Sequence, residues 1–371
     1  MQTINAYKHL TLFNLTIKNH KITRIFKLHK LYSPKKGDNP VAAQPNKVTI
    51  TTKLFAHLET MRPYTVIWCG LVSLAGACLS WGQLPPLDVA ILSLLVPIIG
   101  WIAGLYLSDF LDRKLDKIEK PHRPIPSGRI KPYEAIFIGI AYAAIGGLFS
   151  LYLGLKTFFL VFIVALLVFT YAYITKSHGI LGNLNRGSIT VVAYFYGIFS
   201  TNIPINDIPT YIFLLSFVFL LHDTNSNLVG AIRDIEGDKK ANYKTIPVKF
   251  GIKKSIFLSM LLSISWLSLL LSLIYYFDFL SIHFYYMMFL DILILISFYI
   301  YFFHSRKNYS RDKALRYHEF FVIERITLAS ALLFGKIDFF YAIVIYAAAL
   351  SITVFSQYSL RKRYEFVEYY D

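Results

Sequence analysis

From Thr65 to the far end of the chain, apolar stretches of about twenty residues recur with little interruption. Each is long enough to cross ~30 Å of hydrocarbon as a helix. A chain built this way cannot fold as two or three ordinary soluble domains, although 371 residues would allow that. Spans are expected near 65–81, 87–107, 134–153, 157–175, 188–205, 209–229, 255–277, 281–303, 320–335 and 339–357. Composition agrees: 56% of residues are hydrophobic and only 16% charged, against roughly 25% charged in soluble domains. The two cysteines, Cys69 and Cys78, lie in one span. Nine residues apart on a helix, they are ~13 Å apart along its axis, too far for a disulfide. Two cysteines also exclude a zinc-ribbon or iron–sulfur framework.

A net charge of +16 could suggest a nucleic-acid partner, but its distribution points to a bilayer and to no nucleic acid. With residue 1 on the cytoplasmic side, 35 of the 38 Lys and Arg fall in cytoplasmic segments; the others are Lys156, Arg325 and Lys336. That asymmetry sets orientation. Glu324 and Arg325 interrupt the ninth span. If it did not cross, Arg361, Lys362 and Arg363 would end outside, so the count is nine crossings, or ten. The expected location is an integral, multi-pass position in a bacterial-type inner (plasma) membrane.

Residues 1–60 form a separate basic extension. Its stretch Ile22–Leu31 reads either as disordered tail or as a short amphipathic helix on anionic lipid. Residues 61–360 form the membrane domain, and 361–371 a short basic, aromatic tail.

Ionisable residues in or beside a span are costly and mark functional sites. Asp109, Asp112 and Asp116 follow the second span at i, i+3 and i+7, so a helix puts three carboxylates on one face. They repel one another and oppose the helix dipole, which implies a cation. The loop Lys120-Pro121-His122-Arg123-Pro124-Ile125-Pro126-Ser127-Gly128 follows. After the sixth span, Asn227, Asp234 and Asp238 share a face at spacings of seven and four, and Lys239, Lys240, Lys244 and Ile246-Pro247 come next. Both segments read as apolar span, helically spaced aspartates, basic residues, then Ile-Pro, which suggests an internal duplication. Two acidic helix ends on one membrane face suit a shared Mg²⁺ site, since Mg²⁺ prefers a few carboxylates plus substrate phosphates. Arg123, Lys176 and Lys244 would take the remaining phosphate oxygens. Such a site stabilises departing pyrophosphate and promotes ionisation of an allylic C–O bond.

Asp109 to Gly128 resembles the first motif of the UbiA superfamily of intramembrane prenyltransferases, Asn-Asp-x-x-Asp-x-x-x-Asp with its Lys-Pro-x-Arg-Pro-Ile-Pro-Ser-Gly tail. Ser108 stands at the asparagine position. Asp234, Glu236, Gly237 and Asp238 match the second motif, Arg233-Asp234 is similar to its menaquinone-type branch, and Ala231 replaces the common leading Asp. Arg62-Pro63 resembles the family's early Arg-Pro, and Tyr171, Tyr173 and Lys176 its Tyr…Lys element. The resemblance spans about residues 55–360. It implies an all-α, polytopic bundle of about nine transmembrane helices, ten here if the ninth span crosses, around a central cavity. It also implies Mg²⁺-dependent transfer of a prenyl group from a prenyl diphosphate to a lipophilic acceptor.

On this reading Asp109, Asp112, Asp116, Asn227, Asp234 and Asp238 are the metal and diphosphate ligands, with the five aspartates central to catalysis. Arg62, Arg123, Lys176, Arg233, Lys244 and Asp223 contact substrate. Asn183 and Arg186 are weaker candidates. His222 and Asp223 lie deeper, either near the acceptor or paired with each other or with another helix's polar group. Lys120 and Lys239 are read as solvated or lipid-facing. Two rival readings remain: a terpene cyclase on the same scaffold, which quenches the cation without an acceptor, and a transporter, which would place its charges nearer the midplane.

Overall fold

A computed structural model describes residues 49–305 and 309–365, and these form one compact helical unit. The stretch Ile22–Leu31 and most of the basic extension lie outside the described residues. The unit begins with α1 (Ile50–Met61), α2 (Pro63–Trp81), α3 (Leu87–Glu119) and α4 (Pro132–Leu153). Next come α5 (Leu155–Thr170), which runs into a π turn at Tyr171–Thr175, then α6 (Ile180–Ser200) and α7 (Thr210–Arg233). A short α8 (Ile235–Lys240) leads to α9 (Ile246–Phe277), α10 (Ile282–Ser305), α11 (Arg311–Phe334) and α12 (Phe339–Ser356). A second π turn at Gln357–Arg361 and α13 (Lys362–Glu365) end it. Helix therefore extends beyond both expected domain limits, 61 and 360.

Ten long helices, α2–α7 and α9–α12, match the ten expected spans. Eight are long and apolar enough to cross a membrane; α6 and α11 are the more polar pair. Several of their polar residues find partners inside the bundle. Glu324 on α11 is fully buried and lies 2.9 Å from His222 on α7. Arg325 reaches the Thr65 carbonyl at 3.5 Å. The parity of passes follows from the two ends: Arg62, just before α2, and Tyr364, after α12, both bond Asp109. The two ends therefore lie on one side and the number of traversals is even, which excludes nine, and Arg361 stands on the side of the aspartates.

Most consecutive long helices pack as neighbours, α9 and α10 being the exception, and α2, which also packs on α6, runs with α11 through the middle of the bundle. In α2 nearly every residue from Trp68 to Leu79 is buried. In α5 Phe159, Phe162, Ile163 and Leu166 face outward, as expected of a helix bathed in lipid. Cys69 and Cys78 are free and buried, as their spacing requires. Helix α3, with 33 residues, is ~50 Å long, which exceeds the hydrocarbon thickness. Its last turns, carrying the aspartates, therefore project past the apolar layer.

Candidate active site

Three local devices aim the site. Arg62 takes a left-handed conformation (φ 46°, ψ 64°) that ends α1, and Pro63 opens α2 at its first position. Proline suits that position, where no backbone donor is needed. The Arg62 side chain is thereby turned onto α3, where its guanidinium pairs with Asp109. The π turn at Tyr171–Thr175 re-aims the end of α5, as such turns do at functional sites. It brings Lys176 to 3.4 Å from Asp112. Between α7 and α8 the helix breaks at Asp234 (φ −96°, ψ 12°). The bonds Asp234 N–H to Gly230 O (3.1 Å) and Asp238 N–H to Asp234 O (2.9 Å) persist. Asn227, Asp234 and Asp238 therefore still share one face, although they do not lie on one continuous helix.

These elements enclose a cavity of about 1410 Å³. At its mouth stand Asp109, Asp112 and Asp116 from α3, with Asn227, Asp234 and Asp238 from α7 and α8. Arg62, Arg123, Lys176 and Arg233 stand among them, and Arg186, Asn183 and Asp223 lie deeper. Beyond, the wall becomes apolar with Val161, Val164, Ala165 and Val168 of α5 and Gly100 and Gly104 of α3. A Cβ on Gly100 would meet nothing within 4 Å, so that side opens into free space.

The acids and bases are interleaved. Arg123 donates to both oxygens of Asp116 (3.0 and 2.8 Å), and Arg233 pairs with Asp234 at 2.6 Å. Burial would raise the Asp234 carboxyl, but Arg233 outweighs it and holds it below the usual range. Asp238 differs: burial, with negative Asp234 nearby, pushes it up to about 6 despite a Thr245 hydroxyl at 2.9 Å. Burial alone would favour the neutral amine of Lys176, yet Asp112 with Tyr171 and Tyr243 keeps the ammonium above its ordinary value. Asn227 donates to the Tyr171 hydroxyl (3.2 Å), and its amide meets that of Asn183 at 3.1 Å. Asp223 accepts from Thr190 at 2.8 Å and faces Arg186 at 3.4 Å. Arg186 in turn stacks on Trp101, 3.8 Å from the ring centroid.

His222 turns away from the cavity and pairs with a polar group of another helix, Glu324 of α11, with Trp68 and Phe321 around it, rather than with Asp223. One helical step of 100° puts successive residues on different faces. Lys244 is exposed and absent from the cavity wall; its backbone N–H bonds the Ser177 carbonyl at 2.9 Å. Conversely, Lys120, read as solvated or lipid-facing, lines the cavity, as do Tyr364 and Glu365. Lys120 carried a signal in its place beside the motif. The tail carried none, because no local pattern links residue 364 to residue 109.

Among the described residues no three His, Cys, Asp or Glu side chains are gathered into a metal-holding group. Mg²⁺ does not require one, since it keeps waters and binds through one or two carboxylates plus substrate phosphates. The donor set fits it: hard carboxylate oxygens face each other across one mouth. The Nε atoms of Arg62 and Arg123 are buried without a hydrogen-bond partner. Such donors are costly unless something accepts from them, and phosphate oxygens would.

Fold and site together define a polytopic helical membrane protein with a chamber lined by acidic and basic side chains at one end. A model of the UbiA prenyltransferase family matches residues 68–323. The digeranylgeranylglyceryl phosphate synthase of Pyrococcus horikoshii is 32% identical over 200 residues, covering 54% of this chain and 70% of that one. Its counterpart in Thermococcus kodakarensis is 30% identical over 209 residues, covering 56% and 74%. Among solved structures, one of a digeranylgeranylglyceryl phosphate synthase superposes with TM-score 0.57 at 25% identity, over 76% of this chain and 98% of that one. A UbiA homolog from Aeropyrum pernix K1 shares the fold with TM-score 0.62 at 18% identity, over 72% and 96%. One from Archaeoglobus fulgidus, bound to DMAPP and Mg²⁺, gives 0.53 at 18%, over 74% and 99%. The chain belongs to the UbiA prenyltransferase family, and it is an integral, multi-pass membrane protein.

Proposed function

We propose that this protein transfers a prenyl group from a prenyl diphosphate to a lipid acceptor, with Mg²⁺ as cofactor and the mouth of the cavity facing the cytoplasm of a plasma-type membrane. The observation that carries the reading is one chamber in which the aspartates of both segments, the basic side chains of Arg62, Arg123, Lys176 and Arg233, and an apolar pocket adjoin. Asp109, Asp112 and Asp116 on one wall and Asn227, Asp234 and Asp238 on the other would hold Mg²⁺. Bound there, the ion would offset the charge of the departing diphosphate. Arg62, Arg123, Lys176 and Arg233 take phosphate oxygens, exchanging their present carboxylate partners for substrate. The apolar wall of α3 and α5 receives the prenyl chain and excludes water from the allylic carbon. Asp223 and Arg186, one level deeper, present hydrogen-bonding groups to the acceptor.

The relatives' name denotes a glyceryl phosphate carrying two geranylgeranyl groups, so geranylgeranyl diphosphate with a glyceryl phosphate lipid is the first pair to test. The Lys and Arg distribution supports the orientation. The purified protein, reconstituted in lipid, should form a prenylated acceptor by mass spectrometry, lose that activity in EDTA and regain it with Mg²⁺. Catalytic release of a cyclic terpene with no acceptor present would overturn transfer in favour of cyclisation. Release of pyrophosphate under neither condition, across a panel of prenyl diphosphates, would overturn the enzymatic reading.

A further inference from the structure

The tail after α12 enters the chamber. Tyr364 and Glu365 are 1% and 6% exposed. The Tyr364 hydroxyl donates to Asp109 Oδ2 at 2.8 Å, and the Arg62 guanidinium bonds both the same hydroxyl and Asp109 Oδ1. The guanidinium carbons of Arg62 and Arg123 lie 4.2 and 4.3 Å from the Tyr364 ring centroid, so one ring braces two cations. Nε2 of His122, in the loop after α3, is 3.1 Å from the Tyr364 carbonyl. Glu365 pairs with Arg233 of the second acidic segment at 3.4 Å. Burial would raise this carboxyl, but Arg233, Lys120 and Arg123 hold it well below its usual range.

We infer that Tyr364 is a positioning residue of the diphosphate site, with the C-terminal turn as its third wall beside the two aspartate segments. This rests on the function proposed above. A carboxylate oxygen has two lone pairs, so Asp109 can accept from Tyr364 and still offer an oxygen to a cation. The hydroxyl selects one rotamer of Asp109, and the ring keeps Arg62 and Arg123 side by side at the spacing of a polyanion. Hydrogen-bond partners of metal-binding carboxylates contribute to affinity in this way; their loss typically costs roughly 10- to 100-fold. Cation–π contacts add to the bracing.

The test uses the full-length protein in lipid nanodiscs and reads binding of inorganic pyrophosphate with Mg²⁺ by calorimetry, beside steady-state turnover. Tyr364→Phe keeps the ring and removes the hydroxyl. It should raise the Mg²⁺ concentration for half-maximal binding roughly tenfold, leave pyrophosphate affinity at saturating Mg²⁺ nearly unchanged, and leave the melting temperature near wild type. Tyr364→Ala should weaken pyrophosphate even at saturating Mg²⁺, because the arginines lose their brace. Unchanged Mg²⁺ dependence in a folded Tyr364→Phe protein would overturn the inference. So would equal loss of Mg²⁺ affinity and thermal stability, which marks a merely structural tyrosine. Should Tyr364→Ala not fold, the Phe variant still decides. Wild-type protein that binds Mg²⁺ and pyrophosphate but transfers no prenyl group would sink the proposed function and leave this inference standing.

Discussion

Each aspartate of the first segment has its own basic partner: Arg62 for Asp109, Lys176 for Asp112 and Arg123 for Asp116. The mouth of the chamber is thus a set of ion pairs, and on the proposed function substrate would exchange partners rather than neutralise bare charge. Removing one member leaves the other buried and unpaired, which is worse than losing the pair. Asp112 is the most open of the three, its side chain 40% exposed, so its loss perturbs the fold least and reports most directly on chemistry. Asp112→Ala should lower turnover at least 100-fold (about 2.7 kcal/mol of barrier) with little change in melting temperature, and Asp234→Ala should lower turnover as much while also lowering the melting temperature, because Arg233 loses its partner. Near-normal turnover in folded Asp112→Ala protein would remove it from the metal site. Asn227→Ala should cost less, since a neutral amide is a weaker ligand and its bonds to Tyr171 and Asn183 anchor it only locally.

At the scale of helices, the centre of the bundle depends on close backbone approach. A Cβ on Gly76 of α2 would come within 2.5 Å of the Tyr194 carbonyl of α6. A Cβ on Gly197 of α6 would collide with the Ser73 carbonyl of α2. Both obstacles are backbone, which cannot rotate away. Small residues permit such packing between membrane helices, where lipid removes any hydrophobic drive to associate. Gly197→Ala should cost about 1–3 kcal/mol, read as a lower thermal unfolding midpoint in detergent. Gly100→Ala, which faces open cavity, should leave that midpoint unchanged. Equal stability of the two variants would show that α2 and α6 can separate without penalty.

An even number of passes places both aspartate segments and the tail at one end of the molecule, and that geometry can be tested without activity. Cysteine introduced at Ser127 or Lys244, both exposed in loops, should be labelled from the cytoplasmic side only. Cysteine at Asn206, exposed between α6 and α7, should be labelled from the opposite side only. The native Cys69 and Cys78 are buried and should stay silent. A reporter after Asp371 should share the side of Ser127. Opposite accessibility of Ser127 and Lys244 would separate the two aspartate segments and abolish the common site.

Span positions and the aspartate faces were legible in the chain because each is a local pattern: length of apolar run and spacing by the helical period. The ten helices fall on the ten expected runs, and Asp109, Asp112, Asp116, Asn227, Asp234 and Asp238 do line one cavity. What needed the tertiary structure was every pairing between distant segments. His222 and Asp223 are neighbours in sequence but belong to different surroundings, one packed against Glu324 and the other open to the cavity. Glu324 and Arg325 look like an interrupted span until their buried partners appear. Tyr364 sits on Asp109 although 255 residues separate them. Helical periodicity assigns a face to each residue, but only packing of the helices decides what that face meets.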